Sequence, residues 1–202
     1  MPGIDAVVTL HRLYINSDFI FVKQKKRLFN DEKNTTIREE VQALLKAQAI
    51  SELKFPVWVA NVVPVKKPNN KWRMCTDFTN LNKVCPKEFY LLTYVGRLVD
   101  GSAGHEVFDF MDTSRGYHQI RMAPEDEEKT AFIIEYGLYC WKVMPFGLKN
   151  ARAIYQRMVN DIFADQIGRN MKIYMDDMLV KIKTRADHLA NLRETFNQLR
   201  KS

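Results

Sequence analysis

Residues 171–182 read MKIYMDDMLVKI, with two adjacent acids, Asp176 and Asp177, inside an apolar run. The flanking residues alternate as in a β-hairpin with one packed face. Tyr174, Met175, Met178 and Leu179 suit a solvent-exposed tip poorly, so the hairpin is expected to be packed up to its turn. Carboxylates in such surroundings are costly unless something neutralises them. Asp is also a common turn former, and the doublet taken alone reads first as a polar turn.

Other stretches change that reading. Residues 105–112, HEVFDFMD, alternate like a strand and end in a third acid, Asp112, just before a Gly-bearing turn. Two basic stretches, VKKPNNKWR (65–73) and MPFGLKN (144–150), offer charges and backbone amides to phosphates. Carboxylates from two strand ends, brought together, can hold a pair of divalent ions. Magnesium prefers hard oxygen ligands and leaves coordination sites for substrate phosphates. Two such ions, about 3.5–4 Å apart, activate an attacking oxygen and stabilise a leaving one.

The chain has 202 residues, 46% hydrophobic and 27% charged, enough for one or two globular units with a real core. No apolar run approaches membrane-spanning length, and the start, MPGIDAVVTL, lacks the basic and apolar regions of a signal peptide. An intracellular protein with no membrane partner is therefore expected, in a cytoplasmic particle or the nucleus. Cys75, Cys85 and Cys140 have neither zinc-knuckle spacing nor an even count, and read as free thiols of a reducing compartment. The four histidines show no ligand spacing. The net charge of +7 favours a polyanionic partner such as nucleic acid, although many basic proteins bind none.

Residues 1–34 form an N-terminal extension that closes on the basic stretch FVKQKKR, a strand or an extended arm. TTIREEVQALLKAQ predicts a helix in which Thr36 and Glu39 make a capping box and Ile37, Val41, Leu44 and Leu45 share a face. PVWVANVVPVKK and WRMCTDF predict one hairpin; TAFIIEYGLYCWKVM predicts another, with Gly137 at its turn. CPKEFYLLTYVGRLVDG is expected to be irregular and to lead into a short helix. A helix over NARAIYQRMVNDIFADQI precedes the hairpin that carries the acids. A last helix, capped by Thr184, is expected to bury Leu189, Leu192, Phe196 and Leu199. Helices and strands mix without βαβ alternation, so the fold class is α+β with a largely antiparallel sheet.

Taken together, the motifs resemble the reverse transcriptase region of a long-terminal-repeat retrotransposon polyprotein, most like plant elements of the Ty3/gypsy type. The resemblance rests on MPGID, IREEVQALLKA, WVANVVPVKKPNNKWRMCTDFTNLNKVCPK, LVDGSAGHEVFDFMD, GYHQIRMAPEDEEKTAFI, YCWKVMPFGLKNA, YQRMVNDIFADQIG and YMDDMLVK, which span nearly all of the chain. It implies a right-hand polymerase fold, with residues 35–202 forming fingers and palm subdomains and a mainly antiparallel palm sheet carrying the YMDD hairpin. The thumb, the primer grip and RNase H are expected to lie beyond the chain, which then reads as a fragment that polymerises poorly alone.

The same resemblance implies roles for particular residues. Asp112, Asp176 and Asp177 match the family's catalytic metal-binding acids, with two Mg²⁺ ions, or Mn²⁺, as cofactors. Lys66 and Arg73 match residues that grip the incoming dNTP, and Tyr117 matches the aromatic that lies under the deoxyribose. Gln119, Phe146 and Gly147 line the nucleotide and template pocket, while Gln156, Tyr174 and Met175 lie by the RNA or DNA template and its primer. Read from the residues alone, each has a plainer role: Lys66 as a solvated charge, Arg73 as a cover for the neighbouring indole, Tyr117 as a core aromatic.

Several positions depart from the family pattern. Arg115 stands where Ser is common, Arg152 where Gly is common, and Leu91 and Thr93 where prolines are common. An Arg where the backbone nears a ligand adds bulk and charge that Gly would avoid, unless it points outward. The leading expectation is an RNA-directed DNA polymerase fragment. The alternative is a catalytically inactive, nucleic-acid-binding relic of such a polymerase. A different two-metal phosphotransferase, such as a nuclease, fits the combined motifs less well.

Overall fold

The computed structural model describes residues 4–5, 7–16, 19–90, 104–113 and 115–201. The segment expected to become irregular and then helical after Cys85 falls largely outside these residues, as do Leu91 and Thr93. The chain forms two compact units. One gathers Leu10–Lys87 and Tyr117–Ala151, the other Glu88–Gly116 and Arg152–Ser202, each with a short N-terminal piece.

The first unit is built on a five-stranded sheet with α1 (Asp31–Lys46) and α2 (Thr79–Val84). Its strands are β2 (Ile50–Glu52), β3 (Ala60–Lys66), β4 (Trp72–Thr76), β7 (Phe132–Ile134) and β8 (Gly137–Trp141), in the order β2-β8-β7-β3-β4. Both predicted hairpins are present as antiparallel pairs, β3–β4 and β7–β8, while β3 and β7 run parallel. Gly137 opens β8 opposite Ile134, so the turn itself is Glu135–Tyr136. A parallel pair of β1 (Leu10–His11) and β6 (Arg121–Met122) forms a separate two-stranded sheet. The short α3 (Pro124–Glu127) follows β6. Trp58, Leu81, Ile120, Phe132 and Met144 form the core.

Helix α1 begins five residues before the expected capping box. Asn30 caps it by accepting a hydrogen bond from the Lys33 amide at 3.3 Å, and Asp31 and Glu32 favour the positive end of the helix. Thr36 instead donates to the Glu32 carbonyl inside the helix. Ile37, Val41 and Leu44 are buried as expected. The basic stretch before α1 is an extended strap: Lys23 makes a parallel bridge to Val59. All three cysteines are free. Burial pushes the Cys85 thiol up to about 11.

The second unit holds a three-stranded antiparallel sheet, β5 (Val107–Asp112), β10 (Asp177–Ile182) and β9 (Met171–Tyr174), in the order β5-β10-β9. Two helices, α4 (Ala151–Ile162) and α5 (His188–Lys201), accompany it, and Tyr155, Phe163, Met171, Val180 and Ile182 are its most buried apolar residues. Helix α5 departs from the sequence reading. Leu189, Phe196 and Leu199 are exposed, and the buried residue is Thr195, whose hydroxyl donates to the Asn191 carbonyl at 3.1 Å. Thr184 stands before a turn of 3₁₀ helix, Arg185–Asp187, that precedes α5, and its hydroxyl donates to the Asp187 carboxylate at 2.7 Å rather than capping α5. Among the described residues no helix is long and apolar enough to cross a membrane.

Candidate active site

Strand pairing brings the acids together in the second unit. β5 ends at Asp112 and β10 begins at Asp177, and the register sets these two residues opposite each other. Directly opposed residues of an antiparallel pair have Cβ atoms about 4.5–5.5 Å apart. Both side chains are exposed. Asp176 immediately precedes Asp177 in the turn after β9, where Met175 takes a left-handed conformation with φ of 54°. The Asp176 carbonyl accepts from the Thr113 amide at 3.2 Å, which ties the turn to the end of β5.

Asp176 answers why acids stand in an apolar run. Its Oδ1 is buried and has no hydrogen-bond partner. Burial, then the neighbouring Asp112 and Asp177, push its carboxyl above the ordinary carboxylate range. An unpartnered hard oxygen with two further carboxylates bearing on it is the donor chemistry that suits a divalent cation. Among the described residues, no three such side chains are drawn tightly enough together to hold an ion as they stand.

Behind the turn sits Gln156 of α4, 1% exposed. Its Oε1 accepts from the Met175 amide at 2.8 Å, and its Nε2 donates to Asn160 Oδ1 at 2.9 Å and more weakly to the Ile173 carbonyl at 3.5 Å. Asn160 in turn donates to the Tyr90 hydroxyl at 2.6 Å. The Gln156 amide is thus engaged with the turn of the hairpin and with its own helix. Asn160 was missed. Its signal was a second amide four residues on, which shares a helix face with Gln156. Tyr174 and Met175 are half-buried.

The departures from the family pattern now have locations. Arg115 is exposed but holds φ of 54°, a left-handed conformation that non-glycine residues adopt at a cost. Arg152 is exposed on the second residue of α4, where a side chain meets solvent. Gly116 has no such freedom, since an added Cβ would lie 2.8 Å from the buried Tyr155 ring.

In the first unit the predicted substrate residues lie on the β3–β4 hairpin, on the loop after β8 and, for Tyr117 and Gln119, in a 3₁₀ turn that ends at Gln119. Lys66 pairs with Trp72 and Val65 with Arg73 across the hairpin. Lys66 is exposed, its Nζ 5.9 Å from the Trp72 ring centroid, and Lys33 covers the same ring at 4.8 Å. Arg73 covers not the indole but Phe146, with its guanidinium carbon 4.8 Å from that ring. Phe146 also meets Tyr117 at 4.9 Å between centroids. Tyr117 is 7% exposed. Gln119 is half-buried, and its carbonyl accepts from the Ile4 amide at 3.0 Å. Arg73, Phe146 and Tyr117 therefore form a contiguous cation–aromatic cluster, with the two rings tilted by 54°.

Gly147 sits in the same loop with φ of 98°, which only glycine adopts without strain. Its carbonyl accepts from Asn82 at 2.7 Å. Lys149, expected to be available to phosphates, instead donates to the carbonyls of Asn82 and Cys85 at 3.2 and 2.9 Å. Among the described residues neither Lys66 nor Arg73 is in an ion pair.

Comparison with known proteins gives this arrangement relatives. The family described as reverse transcriptase (RNA-dependent DNA polymerase) matches residues 65–202. The chain is 35% identical over 152 residues to the retrovirus-related Pol polyprotein from transposon opus of Drosophila melanogaster, covering 75% of this chain and 15% of that polyprotein. It is 31% identical over 163 residues to the polyprotein from transposon gypsy of the same fly, covering 77% and 16%. It is 29% identical over 168 residues to the transposon Tf2-3 polyprotein of Schizosaccharomyces pombe, covering 83% and 12%. The chain thus spans less than a fifth of these relatives. Among solved structures, the foamy viral protease-reverse transcriptase dRH in complex with double-stranded DNA is similar with a TM-score of 0.85. The identity there is 23%, over 96% of this chain and 33% of that one, so the likeness is one of fold.

Proposed function

The chain belongs to the reverse transcriptase (RNA-dependent DNA polymerase) family, and on that footing we propose that it is the fingers and palm portion of an RNA-directed DNA polymerase from a retrotransposon polyprotein. Its α+β architecture is that of a right-hand polymerase. The observation that carries the proposal is the register that sets Asp112 opposite Asp177, beside the unpartnered Oδ1 of Asp176. The plant affiliation remains part of the proposal and rests on the sequence motifs.

In this reading Asp112 and Asp176 supply the oxygens for two Mg²⁺ ions, or Mn²⁺, and Asp177 contributes charge and geometry. When bound, such ions supply Lewis acidity to a primer 3′-hydroxyl and charge neutralisation to the dNTP and its pyrophosphate. The rest is positioning and electrostatics, which dominate phosphoryl transfer. Lys66 offers a point charge to the triphosphate, and Arg73 a fork for two of its oxygens. Tyr117 bounds the space beside the sugar, so that a 2′-hydroxyl is disfavoured. Gln119, Phe146 and the backbone at Gly147 line the nucleotide and template pocket. Tyr174 and Met175 lie by the template and primer, held from behind by Gln156.

A second reading is favoured by Arg115. Its left-handed backbone three residues after Asp112 fits a relic that binds nucleic acid without synthesis. Primer extension on an RNA template with Mg²⁺ or Mn²⁺ separates the two, using this chain and a version continued into downstream polyprotein sequence. Polymerisation is expected from the longer version and is lost in Asp112→Asn and Asp176→Asn. Tyr117→Ala is expected to raise ribonucleotide incorporation relative to deoxyribonucleotide. Extension that survives both acid substitutions overturns the polymerase proposal, and tight template-primer binding without extension supports the relic.

A further inference from the structure

A left-handed residue other than glycine persists only where its surroundings hold it. Met175, just before the acid doublet, is such a residue, and its amide is held by Gln156 Oε1 at 2.8 Å. That bond has a condition. A carboxamide has two unlike ends, an oxygen that accepts and a nitrogen that donates. Gln156 is 1% exposed, so it can turn its oxygen to Met175 only if its nitrogen also finds an acceptor. The Ile173 carbonyl, at 3.5 Å, is a weak one. Asn160 Oδ1, at 2.9 Å, is the strong one, and it decides which end of Gln156 faces the turn.

Asn160 meets the same condition one turn further along α4. To offer its oxygen to Gln156 it must place its nitrogen on an acceptor, and it does so on the Tyr90 hydroxyl at 2.6 Å. Tyr90 comes from a distant stretch of the chain and is clamped where it stands. Arg157 lies over its ring, with the guanidinium carbon 5.2 Å from the centroid. The same guanidinium pairs with Glu88, two residues before Tyr90. Gln156, Arg157 and Asn160 share one turn of α4, and every member of the row belongs to the second unit.

Such a row has a direction. Reversing either amide sets donor against donor at one of its joints, so only one setting leaves an oxygen for the Met175 amide. The row also ends where position matters. Holding that amide fixes the peptide plane that enters the left-handed residue, and the next side chain out is Asp176, whose buried Oδ1 has no hydrogen-bond partner. The Asp176 carbonyl is tied to Thr113 at the end of β5, so the turn is gripped from both sides of the acid.

We propose that Asn160, oriented by Tyr90, is a positioning residue for Asp176, acting through Gln156 and the Met175 amide. The proposal deepens the polymerase reading and rests on it, since that reading supplies the divalent cation for which Asp176 is positioned.

The test takes two measurements on the full chain: hydrogen exchange at methionine amides by NMR, and Mn²⁺ affinity by electron paramagnetic resonance. Asn160→Leu, similar in size, removes both ends of the amide. It is expected to speed exchange at Met175 and to weaken Mn²⁺ binding, each about tenfold, the size of one lost buried hydrogen bond. Met158 in α4 and Met171, whose amide donates to the Gln166 carbonyl at 3.0 Å, report on the fold and are expected to exchange as in the parent. Asn160→Asp keeps the oxygen that Gln156 needs, and the Tyr90 hydroxyl can turn to donate to it, so slow exchange at Met175 is expected to return. Tyr90→Phe removes the hydroxyl alone and is expected to speed exchange at Met175 to a smaller extent. Parental exchange at Met175 in Asn160→Leu overturns the proposal, as does faster exchange with unchanged Mn²⁺ affinity. Equal acceleration at Met158, Met171 and Met175, or no recovery in Asn160→Asp, overturns it in favour of a general stabilising role. Parental exchange in Tyr90→Phe overturns the part given to Tyr90. In each case a loss of Mn²⁺ affinity in Asp176→Asn leaves the polymerase reading standing. A parent chain that binds Mn²⁺ no better than Asp176→Asn overturns both.

Discussion

Asp176 is a residue whose surroundings favour its neutral form and whose proposed role needs its charge. Burial first, and then Asp112 and Asp177, hold its pKa above the ordinary 3.8. For an acid raised in this way, nothing is lost below the ordinary value, where folded and unfolded chains are both protonated. As pH climbs through the raised value the unfolded chain gives up its proton more readily, and stability falls until both states are ionised. Asp176→Asn is therefore expected to raise the urea midpoint at neutral pH and to leave it unchanged well below pH 3.8. Mg²⁺ should raise the midpoint of the parent and not of the variant. Gln156 is the other residue on which the turn depends. In Gln156→Ala the Met175 amide loses its acceptor, and a buried unsatisfied group costs about 1–3 kcal/mol. In an active polymerase carrying this segment, a turn displaced by about 1 Å would lower kcat about a hundredfold, with KM for dNTP unchanged. The proximity of Asp112 to the doublet could be expected only by reading the two strand ends together, since the doublet alone reads as a polar turn. The hydrogen bonds of Gln156 were not legible, because a residue type does not name its partner.

At the scale of the element, periodicity found the helices and hairpins but not always the face that is covered. Both hairpins and α1 are present, although α1 starts earlier than its expected cap and Gly137 opens a strand instead of forming the turn. In α5 the apolar stripe was visible, yet Leu189, Phe196 and Leu199 are 65%, 46% and 38% exposed while Thr195 is fully buried. Burial belongs to a pair of surfaces, and a sequence shows one of them. In α4 Met158 is buried, as is the adjoining Phe163, which is 1% exposed. The two helices should respond to truncation in opposite ways. Phe163→Ala is expected to cost about 3–5 kcal/mol, whereas Phe196→Ser should stay within about 0.5 kcal/mol. Denaturant unfolding of both variants checks the assignment, and a large loss at Phe196 would mean that α5 is packed the other way round. The strap before α1 makes the same point from the polar side: its charges were plain, but Asn61, whose side chain bonds the backbone of Lys25 and Arg27, sat unnoticed in a run of valines.

At the scale of the whole molecule, the division into two units was hidden because the chain leaves and re-enters each of them. Residues 88–116 belong with 152–202, although 117–151 stand between them in sequence. One buried group ties such non-local packing to pH. His11 lies in β1 and is 1% exposed; its carbonyl accepts from the Ala123 amide, and its Nδ1 has no hydrogen-bond partner. Burial lowers its pKa from 6.5 to about 4, against the opposing pull of Asp126, whose own carboxylate is occupied by Lys129 and the Leu13 amide. A base lowered in this way is neutral in both states above 6.5. Between 6.5 and about 4 the unfolded chain takes up a proton that the folded chain refuses, so stability falls as pH drops. At about 1.4 kcal/mol per pH unit, the loss reaches about 3 kcal/mol by the lower end of that window, a sizeable part of a typical domain's stability. Asp176 acts in the opposite direction at the acid end and offsets part of it. Urea midpoints measured at pH 7 and pH 4 should therefore differ strongly in the parent, and much less in His11→Leu, whose side chain cannot titrate. An equally steep acid loss in that variant would move the cause to groups other than His11.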